Sequence, residues 1–125
     1  MSASTKTSIL DIPQLNEGEI YAGAITAPNG ESHHVILLPG DVKGKEWDQA
    51  MGWAKSIGGD LPDRVEQVLF YTHLPDQFKK DWYWSNMQHA SCSDYAWCQG
   101  FVNGGQYGSS KGSELRARAV RRIAI

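Results

Sequence analysis

Residues 46–74 are the part of the chain that reads as helix, and they separate two stretches that read as strand. Trp47, Ala50, Met51, Ala54 and Ile57 fall three and four positions apart and make one apolar stripe. Trp53 lies off that stripe, so it either covers a second contact or is exposed. Gly58-Gly59 ends the segment, and the first glycine suits a left-handed cap. Asp63 is then a natural N-cap, with Glu66 three residues on to complete a capping box. This second helix is expected to bury Val65, Val68, Leu69 and Thr72 and to stop before Pro75. A hairpin, two helices and then three or four antiparallel strands make an α+β fold, with the last strand placed to close beside the first.

The strand-like stretches carry the rest. Residues 19–26 alternate, Asn29-Gly30 suits a turn with positive φ at both centres, and His33–Leu38 is an apolar strand stopped by Pro39-Gly40-Asp41. His33 and His34 are adjacent in a strand, point to opposite faces and so do not share a metal. Trp82–Ser85 reads as a short aromatic strand, 86–95 as a polar loop, and Ala96–Val102 as another strand. Asn103-Gly104-Gly105 turns the chain into Gln106-Tyr107, and 108–112 forms a second polar loop. Leu115–Ile125 reads as one final strand, with Leu115, Ala117 and Ala119 on one side and Arg116 and Arg118 on the other. Arg121-Arg122 interrupts the alternation and implies a bulge or an edge position. Trp47, Trp82 and Trp97 are expected to pack, and Trp53, Trp84 and Tyr107 to be exposed.

Composition limits the function. A chain of 125 residues forms one domain with a core of its own; here it spans 17–125. Residues 1–16 make an arm, flexible or docked on a partner subunit through Ile9-Leu10-Asp11-Ile12-Pro13. The net charge of −2 gives no general attraction to nucleic acid or anionic lipid, and no apolar run approaches the roughly 18 residues of a membrane span. Met1–Ser8 is polar and no signal-peptide core follows it, which points to the cytoplasm. A Cys92–Cys98 disulfide would close a small loop, but that compartment favours free thiols. Phosphate-loop, nucleophile-elbow and zincin motifs are missing. Asn86, Asp94, Asn103 and Gln106 are too scattered for a calcium loop, and a Cys-x5-Cys pair matches no common zinc spacing. The arginines near the end read as solvated or internally paired, as an anion site, or least well as a nucleic-acid contact. No enzyme activity, metal or cofactor is expected.

Several motifs occur together in a recognisable order. Trp47-x-x-Ala50 is followed by Gly58-Gly59-Asp60-Leu61-Pro62-Asp63-Arg64-Val65-Glu66. Tyr83-Trp84-Ser85, Ala96-Trp97 with Phe101 and Gly104, Lys111, and Arg118-Ala119-Val120-Arg121-Arg122 come later. Over residues 20–125 the chain resembles the Lcl C-terminal domain family, in the formylglycine-generating-enzyme-type branch of the C-type-lectin-like fold, and its short single-domain phage and prophage members in particular. It departs from the family at Ala119, where related members carry proline. The enzymes of that branch bind copper through a cysteine pair. Cys92 and Cys98, with His89 and Asp94 nearby, are the only comparable residues, and the enzymes' other motifs are missing.

The resemblance implies a C-type-lectin-like scaffold whose loops 86–95 and 103–112 contact a protein or glycan. Carried onto this chain, the contact residues are Trp84, Asn86, Gln88, His89, Asp94, Tyr95, Asn103, Gln106, Tyr107, Lys111, Arg116 and Arg118. It further implies a non-enzymatic, phage-encoded binding module. That module is either a virion decoration or receptor-binding subunit, as a homo-oligomer and by analogy a trimer, or a small inhibitor of a host protein in the host cytoplasm.

Overall fold

The structure, a computed structural model, describes residues 11–125. Most of the expected arm (residues 1–16) lies outside the described residues; within them, the Gln14 carbonyl accepts a hydrogen bond from Arg121. Strand β1 (Ile20–Thr26) pairs antiparallel with β2 (Ser32–Leu37), as the hairpin reading requires. Its turn differs from the expectation: only Gly30 has positive φ, 89°. Pro28 holds the first turn position at negative φ, so the chain makes a three-residue loop with Gly30 at its end. Gly30 N–H donates to Ala27 O and Ala27 N–H donates to Glu31 O, both at 2.8 Å.

The chain is α+β, and its described residues form eight strands in two sheets and two α-helices. The smaller sheet has the order β1-β2-β8, where β8 is Val120–Ala124. The larger has the order β3-β7-β4-β5-β6, with β3 (Val42–Lys45), β4 (Trp82–Gln88), β5 (Tyr95–Gly100), β6 (Gln106–Ser110) and β7 (Leu115–Ala117). Strand β3 has no counterpart in the sequence reading. The single strand expected over 115–125 is two strands in two different sheets, divided at the buried Arg118-Ala119. Arg118 is the reason: its guanidinium turns inward and donates to Leu38 O at 2.7 Å and Gln77 O at 2.6 Å, tying the crossover to both sides. The register of β8 on β2 is unbroken from His33↔Ala124 to Leu37↔Val120, so Arg121-Arg122 sits on an edge strand without a bulge.

Helices α1 (Trp47–Ser56) and α2 (Arg64–His73) fall where the periodicity placed them. Gly58, at φ 83°, caps α1. Its N–H bonds Lys55 O and the Gly59 N–H bonds Ala54 O, the two bonds of a Schellman motif. Gly59 is small for lack of space: a Cβ there would lie 2.6 Å from both Leu38 Cδ1 and the Val120 carbonyl. Asp63 and Glu66 form the expected capping box, at 2.8 and 2.9 Å.

The inward face of α2 is not the one expected. Glu66, Gln67 and Phe70 are buried, while Val65 and Val68 are exposed. The capping carboxylate causes the difference. Glu66 takes both Nε and Nη2 of Arg122 at 2.7 Å and Nε2 of His33 at 2.9 Å, which draws its side of the helix onto β2 and β8. Gln67 Nε2 adds a bond to Tyr83 O. Phe70 then joins a ring cluster with Phe78, Tyr83 and Phe101, in which Phe78 and Phe101 stack at 4.2 Å. A second core, around Ala50, Ala54, Leu61 and Trp84, fills the space between α1 and the larger sheet.

Candidate functional site

Alternation along β4, β5 and β6 divides the expected contact residues between two faces. Cross-strand partners Trp84↔Cys98 and Cys98↔Tyr107 put Trp82, Trp84, Ala96, Cys98, Tyr107 and Ser109 on one face. Tyr95, Trp97, Gln99, Gln106 and Gly108 occupy the other.

The first face is filled at its centre and open at its end. Trp84 is fully buried there, its indole N–H donating to Lys45 O at 2.8 Å. Trp82, two residues back along the strand, lies at the rim. Its ring meets the half-exposed Tyr107 edge-to-face, with centroids 5.3 Å apart and planes at 71°. Together with Cys98, Asn103, Gly108, Ser109 and Leu115 they line an open cleft of about 360 Å³. Gly100, the partner of Trp82 in β5, leaves the backbone bare beneath the indole; a Cβ there would be 2.7 Å from the ring. The cleft therefore combines two aromatic walls, an aliphatic floor at Leu115, the Asn103 amide and the Ser109 hydroxyl.

Cys98 borders the cleft as a free thiol, 3.3 Å from the Tyr107 carbonyl to which it donates. Burial pushes it up to about 11, so it carries almost no thiolate at neutral pH. Cys92 is also free, and exposed on the 89–94 loop. With an aromatic disulfide reagent at pH 8, one thiol per chain should react within minutes, and the second only after denaturant is added. Two fast thiols would show that Cys98 is accessible.

The second face carries a stack. The guanidinium of Arg64 lies 3.6 Å over the Trp97 ring, and the His89 ring stacks on the same indole at 4.9 Å. Gln106 Oε1 accepts from Arg64 Nε at 3.0 Å. Gln106 Nε2 donates to Arg64 O at 2.8 Å and to Gln99 Oε1 at 2.9 Å. Tyr95 is exposed on this face beside Gly108.

Twelve residues were expected to contact a ligand, and the structure does not bring them into one patch. Asn103 and Tyr107 meet in the cleft; His89, Tyr95 and Gln106 meet on the opposite face. Gln88 and Lys111 pair with each other at 2.6 Å, with the Lys111 ammonium 4.6 Å over the Trp47 ring. Asn86 bonds Asp60, and Asp94 is exposed, its carbonyl bonded to Lys111 N–H.

Three of the twelve are corrected. Trp84 belongs to the core, because the strand centre is covered by α1. Arg118 is internal, and Arg116 pairs with Asp41 and Asp81 at 3.1 Å each, so neither presents a free guanidinium. The loops themselves are shorter than expected: β4 continues to Gln88, leaving 89–94, and β6 divides the second loop into 101–105 and 111–114.

Ser109 lies within the expected 103–112 loop and Trp97 flanks it, whereas Trp82 and Leu115 in the cleft, and Arg64 behind it, were not anticipated as site residues. Trp82 and Trp84 share a face by the period of two. The pairing of Trp82 with a glycine was the available sign that its ring lies at an opening.

No protein-family model matches the chain, and no curated protein matches it in sequence. Among the described residues, no helix is long and apolar enough to cross a membrane. No group of three or more His, Cys, Asp or Glu side chains among them is placed to hold a metal ion.

Proposed function

We propose that the chain is a non-enzymatic recognition module with a C-type-lectin-like scaffold, phage-encoded and carried on the virion, that takes a glycan or protein ligand in the Trp82–Tyr107 cleft. The observation that carries this reading is the pair of partly open aromatic rings set edge-to-face around a shallow apolar cleft, with Asn103 and Ser109 at its border. Rigid rings give contact area at little entropic cost, and a few polar groups orient what lies on them. The faces of a sugar ring and a protein side chain both suit such walls. Cys98, the thiol in the lining of the cleft, is held protonated by burial, which favours binding over thiolate chemistry there.

Labelled protein should bind intact host cells, and Tyr107→Ala and Trp82→Ala should each weaken that binding by about tenfold or more, as expected for losing one aromatic anchor. The protein should also be present in purified particles by mass spectrometry. Full binding by both variants would remove the cleft from the function. Absence from particles would remove the virion role.

A further inference from the structure

The outer side of α2 and the neighbouring ends of β4 and β6 enclose a groove of about 530 Å³, lined by Arg64, Val65, Val68, Met87 and Gln106. Its apolar walls stand in water: Val65 is 59%, Val68 50% and Met87 41% exposed. Clustered exposed apolar side chains of this kind are a mark of partner contact.

Arg64 sets the chemistry of the groove. Its Nε is held by Gln106, its plane by Trp97, and its own carbonyl by the return bond from Gln106. Those contacts fix the side chain while leaving Nη1 and Nη2 with no acceptor among the described residues. No other arginine is in this state. Arg116, Arg121 and Arg122 are bound to carboxylates, and Arg118 uses both terminal nitrogens on carbonyls. A guanidinium fixed in advance loses little freedom when it binds, and its open edge matches a carboxylate in two parallel hydrogen bonds.

We propose that this groove binds a protein segment in which an aspartate or glutamate side chain lies between apolar residues. The carboxylate takes Nη1 and Nη2 of Arg64, and its apolar neighbours cover Val65, Val68 and Met87. Charge counting selects a carboxylate over a phosphate. Arg64 is the one cation lining the groove, so it balances one negative charge. A phosphate, at about −1.5 to −2, would keep uncompensated charge against valine and methionine. The groove lies on the face of β4–β6 opposite the Trp82–Tyr107 cleft and does not depend on the reading given for that cleft.

The test titrates the full ¹⁵N-labelled chain with the capped peptide acetyl-Leu-Glu-Leu-amide and its glutamine counterpart. The Trp97 indole N–H and Arg64 Nε–H resonances should shift and saturate with the glutamate peptide. The glutamine peptide should bind about fivefold more weakly or worse, as loss of a charge-assisted pair predicts. Arg64→Gln should remove the difference between the two peptides. Val68→Glu, at an exposed position where folding is not at stake, should weaken the glutamate peptide by about fivefold through like-charge repulsion at the groove.

Equal binding of both peptides would overturn the proposal. So would inorganic phosphate shifting the same resonances more strongly than the glutamate peptide, or shifts that follow protein concentration alone and so report a second copy.

Discussion

Arg122→Ala is expected to destabilise the fold by about 3–5 kcal/mol, because it leaves a buried carboxylate without its cation. Glu66 is fully buried and receives Arg122 through two nitrogens, the Asp63 amide and His33. Arg122 reaches further, to Asp60 at 2.8 Å and Leu61 O at 3.1 Å, so its loss also loosens the junction between the helices. The effect has a pH signature. Burial alone would raise Glu66, but the hydrogen bonds and charge of Arg122, helped by Asp63 and His33, hold the carboxyl below its ordinary value of 4.5. A carboxylate lowered on folding adds stability above its unfolded value and loses it as pH falls through the folded one. Glu19, hydrogen-bonded to Arg121 and lowered to about 2, acts in the same direction. The wild-type chain should therefore lose stability as pH falls from 4.5 toward 2.

In Arg122→Ala the sign at Glu66 reverses. Burial then raises that carboxyl, so its unfavourable ionisation is relieved on acidification and the deficit against wild type narrows between pH 7 and about pH 4. Urea unfolding at the two pH values measures this. Adding Glu66→Gln should recover part of the loss, since an amide keeps the bond to Asp63 N–H without a charge to bury. A deficit unchanged by pH and by the second substitution would mean that Arg122 acts by packing alone.

The same carboxylate shows how far the sequence could be read. Asp63 and Glu66 were legible as a cap because that motif is local, and so were both helix positions and the Gly58 terminus. The face of α2 was not. Hydrophobic periodicity assigned Val65 and Val68 to the core, and a long-range ion pair with Arg122, 56 residues away in sequence, turned Glu66 inward instead. Arg118 is a similar case. Alternation along 115–125 suggested one strand, but a guanidinium seeking two distant carbonyls breaks it between two sheets. At the cleft, residue type was informative and position along the strand was not. Asn103 and Tyr107, expected to contact a ligand, both line the cleft, whereas Trp84, expected to be exposed, is buried, because which of two tryptophans on one face is fully covered depends on where α1 lies. Arg64 gave no local sign at all: its open edge follows from Gln106 and Trp97, which reach it only across the sheet.

Trp84→Ala is expected to cost about 3–5 kcal/mol, the range for emptying a large buried aromatic site, and Tyr107→Ala about 1 kcal/mol or less. Trp84 has no exposed surface, packs in the core with Ala50, Ala54, Leu61 and Cys98, and satisfies the Lys45 carbonyl. Truncation leaves a cavity that β3 and α1 cannot close without giving up their own contacts, and it strands that carbonyl. Tyr107 loses an edge-to-face contact with Trp82 and exposed area that was already in water. Denaturant midpoints for the two variants, measured with ligand binding on the same preparations, separate scaffold from site. Trp84→Ala should lose binding only in proportion to the fraction unfolded. Tyr107→Ala should lose it while its unfolding curve stays near wild type. If Trp84→Ala instead kept a wild-type midpoint, the residue would not be the core anchor its burial implies; if Tyr107→Ala unfolded the chain, the cleft would be part of the scaffold. With Trp84 under α1 and Tyr107 at the open rim of the same sheet face, the two losses should fall on different measurements.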